Sequence, residues 1–277
     1  MAPGVRIATF AVGSTRHFGS LVGLPVWGRV SFPALVALIQ HPKAGPILFD
    51  TGYGSVMTLG GGPAMRLYRA MLPLNLPPSE RLDRQLAARG FTSQDLAFIF
   101  LSHAHPDHVG GLCDLSPRPL LWSRAAAGAF ERSTPLSRFR EATLDALRPP
   151  AAWVNQSFIE DRRRIDLSST LPGFEAGFDL LNDGSLLAIA LPGHARGQHG
   201  LLCRLASGRQ AFLVADAAWH IAAITHAVDP KPILDHIAED PKAYWQTLKA
   251  LRRLHAARPD IAFLPSHCTR AINAEFA

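Results

Sequence analysis

The sequence predicts a mixed fold of the α/β (α+β) class, built as one domain over residues 1–277. Short apolar runs of strand length recur along the chain, and segments with helical spacing lie between them. Four of these runs end at histidine or aspartate, side chains that can bind metals. With 48% hydrophobic and 18% charged residues, the composition is that of a globular rather than a disordered protein.

Strands are predicted where short apolar runs are bounded by turn-forming residues. Leu96 to Leu101 is the clearest case, because it is apolar and stops abruptly at polar residues. The turns His41-Pro42-Lys43-Ala44 and Ser207-Gly208-Arg209 each join two such runs into a hairpin. In order, the predicted strands are residues 5–12, 30–39, 45–49, 96–101, 119–122, 186–191, 201–205, 211–215 and 261–264.

Helices are predicted where apolar residues recur every three or four positions. Ser79 to Arg89 has a serine suited to an N-cap, Leu82 and Leu86 on one face, and Gly90 as a stop signal. Asp240 to His255 has the pattern of an amphipathic surface helix. Further helical patterns cover Ser123 to Arg132 and Ser137 to Leu147, a short helix is expected within 217–240, and 149–185 cannot be assigned.

The segment from Ser102 to Gly111 predicts a metal site. Residues 103–108 contain three histidines and one aspartate, and imidazole and carboxylate groups are ligands that suit zinc and similar metals. A polar or pH-sensitive turn is the alternative, but four such groups within six residues favour a metal. The segment directly follows a predicted strand, which would hold the ligands rigidly. Gly110-Gly111 allows a sharp turn and a close approach of neighbouring backbone.

The pattern His-x-His-x-Asp-His at residues 103–108 resembles the signature of the metallo-β-lactamase superfamily of hydrolases. Four further blocks match the pattern of that family in the same order. They are Asp50-Thr51-Gly52, Pro192-Gly193-His194, Ala215-Asp216-Ala217 and Ser266-His267. Five blocks in order make this resemblance much more specific than one motif would.

This resemblance implies a four-layer αββα sandwich, in which two sheets pack face to face with helices outside and the site at one edge. It also implies two divalent metal ions, expected to be zinc. The ligands would be His103, His105 and His194 for the first metal, Asp107, His108 and His267 for the second, and Asp216 for both. Seven groups exceed the four ligands of one tetrahedral zinc, which agrees with a dinuclear site. Asp50 would accept a hydrogen bond from a ligand imidazole.

A dinuclear site of this kind predicts hydrolysis. Water that bridges two cations loses a proton near neutral pH and becomes the nucleophile, so no serine or cysteine nucleophile is needed. The metals would polarise the substrate carbonyl. Asp107 would lie beside the bridging hydroxide and could pass a proton to the leaving group. Asp107 and Asp216 are therefore the predicted catalytic carboxylates. A redox or structural metal protein is a second class, but a flavodiiron relative would need an added flavin domain.

Asp216 argues against a true β-lactamase, whose members lack a bridging carboxylate there. Among relatives that have it, the chain is most similar to N-acyl homoserine lactonases, so the expected substrate is a lactone or ester with an apolar acyl group. Thioesterases of the glyoxalase type and phosphodiesterases are alternatives. Trp219 stands where these lactonases usually carry a tyrosine, and is either a substrate contact or a core residue. Gln198 replaces a common second histidine, which leaves the role of His199 open.

Residues 54–78 form an apolar stretch that glycine and proline interrupt. One interpretation is a short helix that covers the core. The other is a flap beside the metal site that accepts an apolar substrate group or a second subunit, in which case a homodimer is expected. On this second interpretation, Met65, Tyr68 and Met71 are candidate substrate contacts together with Trp219.

Charge and cysteine content exclude several other classes. The net charge is +6, but the basic residues are scattered, and Arg162-Arg163-Arg164 lies between acidic residues, so no nucleic-acid partner is expected. No apolar run is long enough to span a bilayer, and the N-terminus does not resemble a secretory signal. We therefore expect a cytoplasmic protein without a membrane partner. The three cysteines are predicted to be free thiols, and His267 is favoured over Cys268 as a ligand.

Overall fold

The computed structural model describes residues 3–19, 24, 27–60, 62–131, 142–149, 155–229 and 234–277. The strands in this part are β1 Arg6–Phe18, β2 Arg29–His41, β3 Gly45–Phe49, β4 Phe98–Phe100, β5 Leu120–Trp122, β6 Gln156–Phe158, β7 Arg163–Asp166, β8 Ala176–Asp179, β9 Leu186–Ala190, β10 His199–Arg204, β11 Gln210–Ala215, β12 Ala262–Pro265 and β13 Glu275–Phe276. The α-helices are α1 Val56–Leu59, α2 Gly62–Met71, α3 Leu82–Ala87, α4 Pro106–Val109, α5 Arg124–Gly128, α6 Ile221–Thr225, α7 Leu234–Ile237 and α8 Pro241–Ala257.

The strands form two mixed sheets. The order in the first is β13-β1-β2-β3-β4-β5-β6 and in the second β12-β11-β10-β9-β8-β7. Strands β3 to β6 pair in parallel, as do β11 and β12. Parallel neighbours end at the same edge of a sheet, so residues that follow β3 and β4 are brought together, as are those that follow β11 and β12.

Three apolar clusters show that the fold has four layers. Strand β2 lies between two of them, because Leu35, Ala37 and Ile39 pack between the sheets while Val36 and Leu38 face helices on the outer side. The third cluster lies between the second sheet and α8. Burial on both faces explains why residues 33–39 are almost entirely apolar. The αββα sandwich expected from the sequence is confirmed.

All predicted strands are present, with differences at their ends. The largest difference concerns β1, which was predicted to stop at residue 12 but continues to Phe18. The register against β2 shifts between Ala11 and Ser14, where Gly13 has a φ of 79°. This bulge changes which side chains face inward, so the alternation of apolar and polar residues in the sequence breaks there although the strand continues.

The prediction of one helix over Ser79 to Arg89 is wrong. The structure has a 3-10 turn at Pro78–Glu80 and then α3, separated by Arg81 in an extended conformation, and Ser79 does not cap the helix. Proline presets φ for a turn and has no N–H to continue a ladder, so the helix begins only beyond the proline pair. Gly90, with a φ of 81°, ends the segment as expected.

The other helix predictions were mostly confirmed, with different bounds. Ser123 caps α5 by accepting a hydrogen bond from Ala126 N–H, but this helix ends at Gly128 rather than Arg132. Much of the expected helix from Ser137 to Leu147 lies outside the described residues, and its end is a 3-10 turn at Asp145–Leu147. Asp240 caps α8, as the pattern indicated. Within the described residues, no helix combines the length and apolar character needed to cross a membrane.

Candidate metal centre

The ends of five strands converge on one polar cluster. Asp50 follows β3, His103 follows β4, and Asp216 and His267 follow β11 and β12. His194 comes four residues after β9. Their positions result from sheet topology, since the apolar strands fill the core and stop where the polar side chains begin. The structure brings together all seven side chains that the sequence singled out as metal ligands, namely His103, His105, Asp107, His108, His194, Asp216 and His267.

These seven side chains form two groups that share one carboxylate. His103, His105, His194 and Asp216 form one group, and Asp107, His108, His267 and Asp216 form the other. Within each group the candidate ligand atoms all lie within 4.8 Å of one another. The Nε2 atom of His103 is buried and has no hydrogen-bond partner among the described residues, as expected for an atom that faces a metal. The donor set therefore fits divalent metal ions.

Asp216 lies at the centre of the cluster. Its Oδ2 atom is 3.1 Å from His194 Nε2 and 3.1 Å from His267 Nε2, and its Oδ1 atom is 3.4 Å from His108 Nε2. Asp107 Oδ2 is 3.4 Å from His267 Nε2 and 3.7 Å from His108 Nε2. Asp216 thus contacts histidines of both groups, which is the arrangement that a bridging ligand requires.

A buried carboxylate orients the motif from behind. Asp50 accepts hydrogen bonds from Ser102 N–H at 2.7 Å, from the Ser102 hydroxyl at 2.8 Å and from His108 Nδ1–H at 2.7 Å. The bond to His108 places the proton on Nδ1 and leaves Nε2 free to face the metal group. His267 is oriented in the same way, because its Nδ1–H donates to the Pro33 carbonyl at 2.8 Å. The supporting role expected for Asp50 agrees with these contacts.

Close packing of glycines holds the Asp50 turn against the motif. A Cβ added to Gly111 would lie 2.1 Å from the Thr51 carbonyl oxygen, and one added to Gly54 would lie 1.9 Å from the Gly110 carbonyl oxygen. The Thr51 hydroxyl donates to the His108 carbonyl at 2.7 Å, which ties the two segments together. The close backbone approach predicted for Gly110-Gly111 is confirmed.

Two non-glycine residues at this edge have left-handed backbone conformations. Asp50 has a φ of 58° and Ala215 a φ of 49°. Aspartate tolerates this region, whereas for alanine it is costly. Ala215 directly precedes Asp216, at a point where the register between β11 and β12 shifts. Local strain at a strand end is common at functional sites, and here it lies beside the shared carboxylate.

Electrostatic interactions favour the metal-binding protonation state for His103 and Asp216, whereas the carboxylates of Asp107 and Asp216 outweigh burial and raise the pKa of His108 and His267. Burial, together with the neighbouring imidazoles of His108 and His105, holds the pKa of His103 well below its usual value, so His103 is neutral. Burial would raise the pKa of Asp216, but the surrounding imidazoles, that of His267 first, outweigh it and hold the pKa well below the usual range. A neutral imidazole and an ionised carboxylate are the forms that bind metal.

Trp219 lies over the cluster on one side. Its ring centroid is 6.2 Å from that of His194, and 5.5 Å from that of Phe32, which in turn stacks on His267 at 3.9 Å. Trp219 is 8% exposed, and its indole N–H has no hydrogen-bond partner among the described residues. The side chain therefore packs mostly as a core residue, and its one polar atom, a donor, is buried without a partner among the described residues.

The three apolar candidates on α2 have different surroundings. Met65 is fully buried in the core, so it offers no surface to a substrate, and Met71 is 61% exposed on the outer face of the helix. These two placements follow from helical geometry, since residues six positions apart lie on different faces. Met71 stays a candidate substrate contact. Tyr68 is buried, and its pKa is raised by burial and by the nearby carboxylates of Asp107 and Asp216.

Two other residues were ambiguous in the sequence. His199 is buried on β10, where its Nδ1–H donates to the Gly197 carbonyl at 2.9 Å, which agrees with a satisfied polar residue on a strand. Cys268 packs in the apolar cluster between the sheets, whereas His267 faces Asp216. All three cysteines are free thiols, as predicted.

Sequence reasoning missed Phe32, Tyr53 and Pro33 as neighbours of the site. Phe32 and Pro33 lie in a strand more than 200 residues before His267, and nothing local in the chain marks that contact. The sequence does offer a signal that Tyr53 lies near the site, because this residue directly follows the Asp50-Thr51-Gly52 turn. Long-range neighbours of this kind become visible only after the two sheets are packed.

Comparisons with known proteins agree with this geometry. Residues 31–267 match the family described as the Metallo-beta-lactamase superfamily. The chain is 26% identical over 211 residues to an N-acyl homoserine lactonase of Bacillus cereus, covering 76% of this chain and 70% of that protein. A solved N-acyl homoserine lactone hydrolase with N-hexanoyl-L-homoserine bound at its catalytic metal centre aligns with a TM-score of 0.71 at 17% identity, over 98% of this chain and 95% of that one.

A second solved structure, of the dizinc quorum-quenching lactonase AidC, aligns with a TM-score of 0.61 at 18% identity, over 97% of this chain and 90% of that one. At such identities these two likenesses show the fold. The family match is broader evidence, since it covers most of the chain and both groups of candidate ligands. This chain therefore belongs to the metallo-beta-lactamase superfamily and is a metal-dependent hydrolase.

Proposed function

We propose that this hydrolase binds two divalent metal ions, zinc in the native protein, and opens a lactone or ester that carries an apolar acyl group. The observation that carries the proposal is the pair of ligand groups that share Asp216. One group has three histidines besides Asp216, and the other has two histidines and Asp107. Two metals bound there would supply an activated water and polarise the substrate carbonyl.

Asp107 is the residue proposed to move a proton. Its side chain is 14% exposed, whereas those of Asp216, His108 and His267 are 4% exposed or less. Asp107 can therefore meet a substrate that the other three cannot reach directly. A carboxylate in this position would take a proton from the attacking water and deliver it to the departing oxygen.

Trp219 and Phe32 are proposed to contact the acyl portion of the substrate. Trp219 is nine-tenths buried and its indole N–H lacks a partner among the described residues, so a substrate oxygen that accepts from it would satisfy a polar group that is otherwise costly to leave unpaired. The faces of the two rings are apolar and suit a hydrocarbon tail. An indole cannot accept or ionise, so its role is limited to donation and packing.

The surroundings of the carboxylates favour an uncharged substrate. In the described part of the chain, the ion pairs of Asp107 and Asp216 are all with histidines. A phosphodiester would have to be desolvated beside these groups without an arginine or lysine partner. Two similar proteins support the same choice, one being an N-acyl homoserine lactonase and the other a dizinc lactonase. A glyoxalase-type thioesterase and a phosphodiesterase are the alternatives.

Metal analysis tests the dinuclear site. The purified protein loaded with zinc should hold two ions per chain, and Asp216→Ala should lose at least one of them. Asp83→Ala, at a partly exposed position on α3, is the matched control and should keep both. A saturated wild-type protein with one ion per chain, or an Asp216→Ala variant with unchanged affinity for two, would contradict the proposal.

A hydrolysis screen tests the substrate class. For a series of lactones or esters that differ only in acyl length, kcat/KM should rise by up to about fourfold for each buried methylene, equivalent to ~0.8 kcal/mol. Trp219→Ala should reduce this dependence mainly through KM. If the protein ignores lactones and esters of every length yet cleaves glutathione thioesters or phosphodiesters, the substrate assignment is wrong while the metal site stands.

A further inference from the structure

The loop that presents His194 has an irregular backbone. It consists of residues 191–194, which follow β9, and we call it the His194 loop. Pro192 has no N–H group, and Gly193 has a φ of 122°, which lies outside the range of regular strands and helices. The carbonyl groups of this loop therefore need hydrogen-bond donors from other parts of the chain.

Two side chains hold the first half of the His194 loop. The Leu191 carbonyl accepts a hydrogen bond from Gln198 Nε2–H at 3.0 Å, and the Pro192 carbonyl accepts one from the Thr247 hydroxyl at 2.7 Å. Gln198 lies just before β10, whereas Thr247 lies on α8. Gln198 is 1% exposed and Thr247 is 6% exposed, so little water is at hand to replace either donor.

The start of α8 holds the second half of the loop. The backbone N–H of Asp240, the N-cap residue of α8, donates to the Gly193 carbonyl at 2.9 Å, and that of Glu239 donates to the His194 carbonyl at 3.1 Å. A Cβ added to Gly193 would lie 2.0 Å from the Tyr244 backbone nitrogen, so loop and helix touch without room for a side chain. All four carbonyls of the loop thus have a donor, and three of these donors belong to the segment 239–247.

The His194 side chain lacks a support that other candidate ligands have. The Nδ1 atoms of His103, His108 and His267 each lie 2.9 Å or less from an oxygen of a neighbouring residue. His194 Nδ1 is buried without a hydrogen-bond partner among the described residues, although its Nε2 atom faces Asp216 Oδ2 at 3.1 Å. A metal-bound imidazole is usually oriented through its second nitrogen. For His194, the backbone must set the direction of the ring instead.

We propose that Thr247 and Gln198 are positioning residues for metal binding, because they fix the backbone from which His194 reaches the metal. The proposal rests on the metal site of the proposed function. The first group of ligands is His103, His105, His194 and Asp216, and the second group is Asp107, His108, His267 and Asp216. His108 and His267 have their own hydrogen-bond partners, so the second group depends less on the His194 loop.

Competition between the zinc-loaded, full-length protein and a chromogenic chelator tests this role. His105→Ala and His267→Ala each remove a ligand of one group only, so they identify the binding step of each group. Thr247→Val has nearly the same shape as the wild type but no hydroxyl donor. It should lower the affinity of the first group for zinc by about tenfold and that of the second group by less. Thr247→Ser keeps the donor and should bind zinc almost as tightly as the wild type.

Gln198→Met is a second variant, which tests the opposite side of the loop and decides the matter if Thr247→Val does not fold. It should weaken the same binding step. Thr9→Val is the matched control, because the Thr9 hydroxyl is also buried and also donates to a backbone carbonyl, that of Ala274 at 3.0 Å. Ala274 directly precedes β13, an edge strand of the first sheet. Thr9→Val should be less stable in urea but should bind zinc like the wild type.

The outcomes separate this proposal from the proposed function. If the wild type binds one ion per chain, the dinuclear site is wrong, yet the positioning role stands if Thr247→Val weakens that ion and Thr247→Ser does not. The positioning role is wrong if Thr247→Val leaves zinc binding unchanged or weakens both steps equally. It is also wrong if Thr247→Ser or Thr9→Val loses as much affinity as Thr247→Val, because the effect would then not depend on the hydrogen bond to the loop.

Discussion

Replacement of Asp50 by asparagine should weaken metal binding by one of the two ligand groups more than by the other. Asp50 is fully buried and accepts three hydrogen bonds, from Ser102 N–H, the Ser102 hydroxyl and His108 Nδ1–H. Asparagine has nearly the same shape, but one carboxylate oxygen becomes an NH₂ group that donates. If the amide oxygen stays opposite Ser102 N–H, the NH₂ group must face His108 Nδ1–H, and two donors then meet.

This conflict has one local solution, and it removes a metal ligand. His108 can shift its proton from Nδ1 to Nε2 and accept from the new NH₂ group, but Nε2 is the atom that faces Asp107 and Asp216. A protonated Nε2 cannot bind a metal. Loss of such a supporting contact typically costs 10- to 100-fold in metal affinity, or about 1.4–2.7 kcal/mol. The group with His103, His105 and His194 should lose less affinity, because Asp50 reaches it only indirectly, through the Ser102 hydroxyl, which lies 2.9 Å from His103 Nδ1.

Competition with a chromogenic chelator, read as two binding steps, measures this effect. Asp183→Asn is the matched control, because Asp183 also accepts from a serine, Ser185, and lies 3.2 Å from a histidine nitrogen, that of His41. His41 is at the end of β2 that pairs with the start of β3, opposite the end that leads to Asp50. The reasoning would be refuted if Asp50→Asn bound both metals with wild-type affinity or weakened both steps equally.

Three further predictions follow from single positions. Asp107→Asn should lower kcat by at least ~10²-fold, and the loss should be smaller for substrates whose leaving group has a low pKa. An equal loss of kcat for nitrophenyl and alkyl esters would show that Asp107 acts only as a metal ligand. Burial lowers the pKa of His199 in the folded protein, so below about pH 6.5 the unfolded state binds more protons than the folded state. The neutral, buried His199 is therefore fully compatible with folding above that pH, and the protein loses stability as the pH falls toward the lowered pKa of the folded state. His199→Gln should therefore lose less stability between pH 7.5 and 5 than the wild type in urea unfolding, and equal losses would contradict this. Gly111→Ala should destabilise the fold by ~1–3 kcal/mol, because its Cβ would lie 2.1 Å from the Thr51 carbonyl oxygen. Gly128→Ala, where a Cβ would meet open space, should instead stabilise α5 by ~0.5–1 kcal/mol. Similar changes in the stability of the two variants would contradict the packing argument.

The ligand set could be predicted from the sequence because its signals are local. His103, His105, Asp107 and His108 lie within six residues, and imidazole and carboxylate have chemical preferences that do not depend on the rest of the fold. The strands were equally visible, since burial on one or both faces leaves a short apolar run that turn formers interrupt. Helix α8 was recognisable because its capping Asp240 and its apolar spacing lie within one segment.

Predictions that relied on local signals alone failed where packing decided the outcome. The serine at position 79 suits an N-cap, but the adjacent prolines form a 3-10 turn instead. Met65, Tyr68 and Met71 share an apolar stretch, and no property of the stretch shows that Met65 and Tyr68 are buried while Met71 is exposed. Which face of a short helix is buried depends on the surface it packs against, and that surface comes from distant strands.

The sequence by itself determined the family resemblance, the layered α/β architecture and the identity of the candidate ligands. Only the tertiary structure decided that Phe32 stacks on His267, that the Trp219 N–H lacks a partner among the described residues, and that the Pro33 carbonyl accepts a hydrogen bond from His267. The physical reason is the range of the interactions. Backbone preferences and ligand chemistry act over a few residues, whereas burial and the charge around a side chain depend on segments that meet only when the two sheets pack.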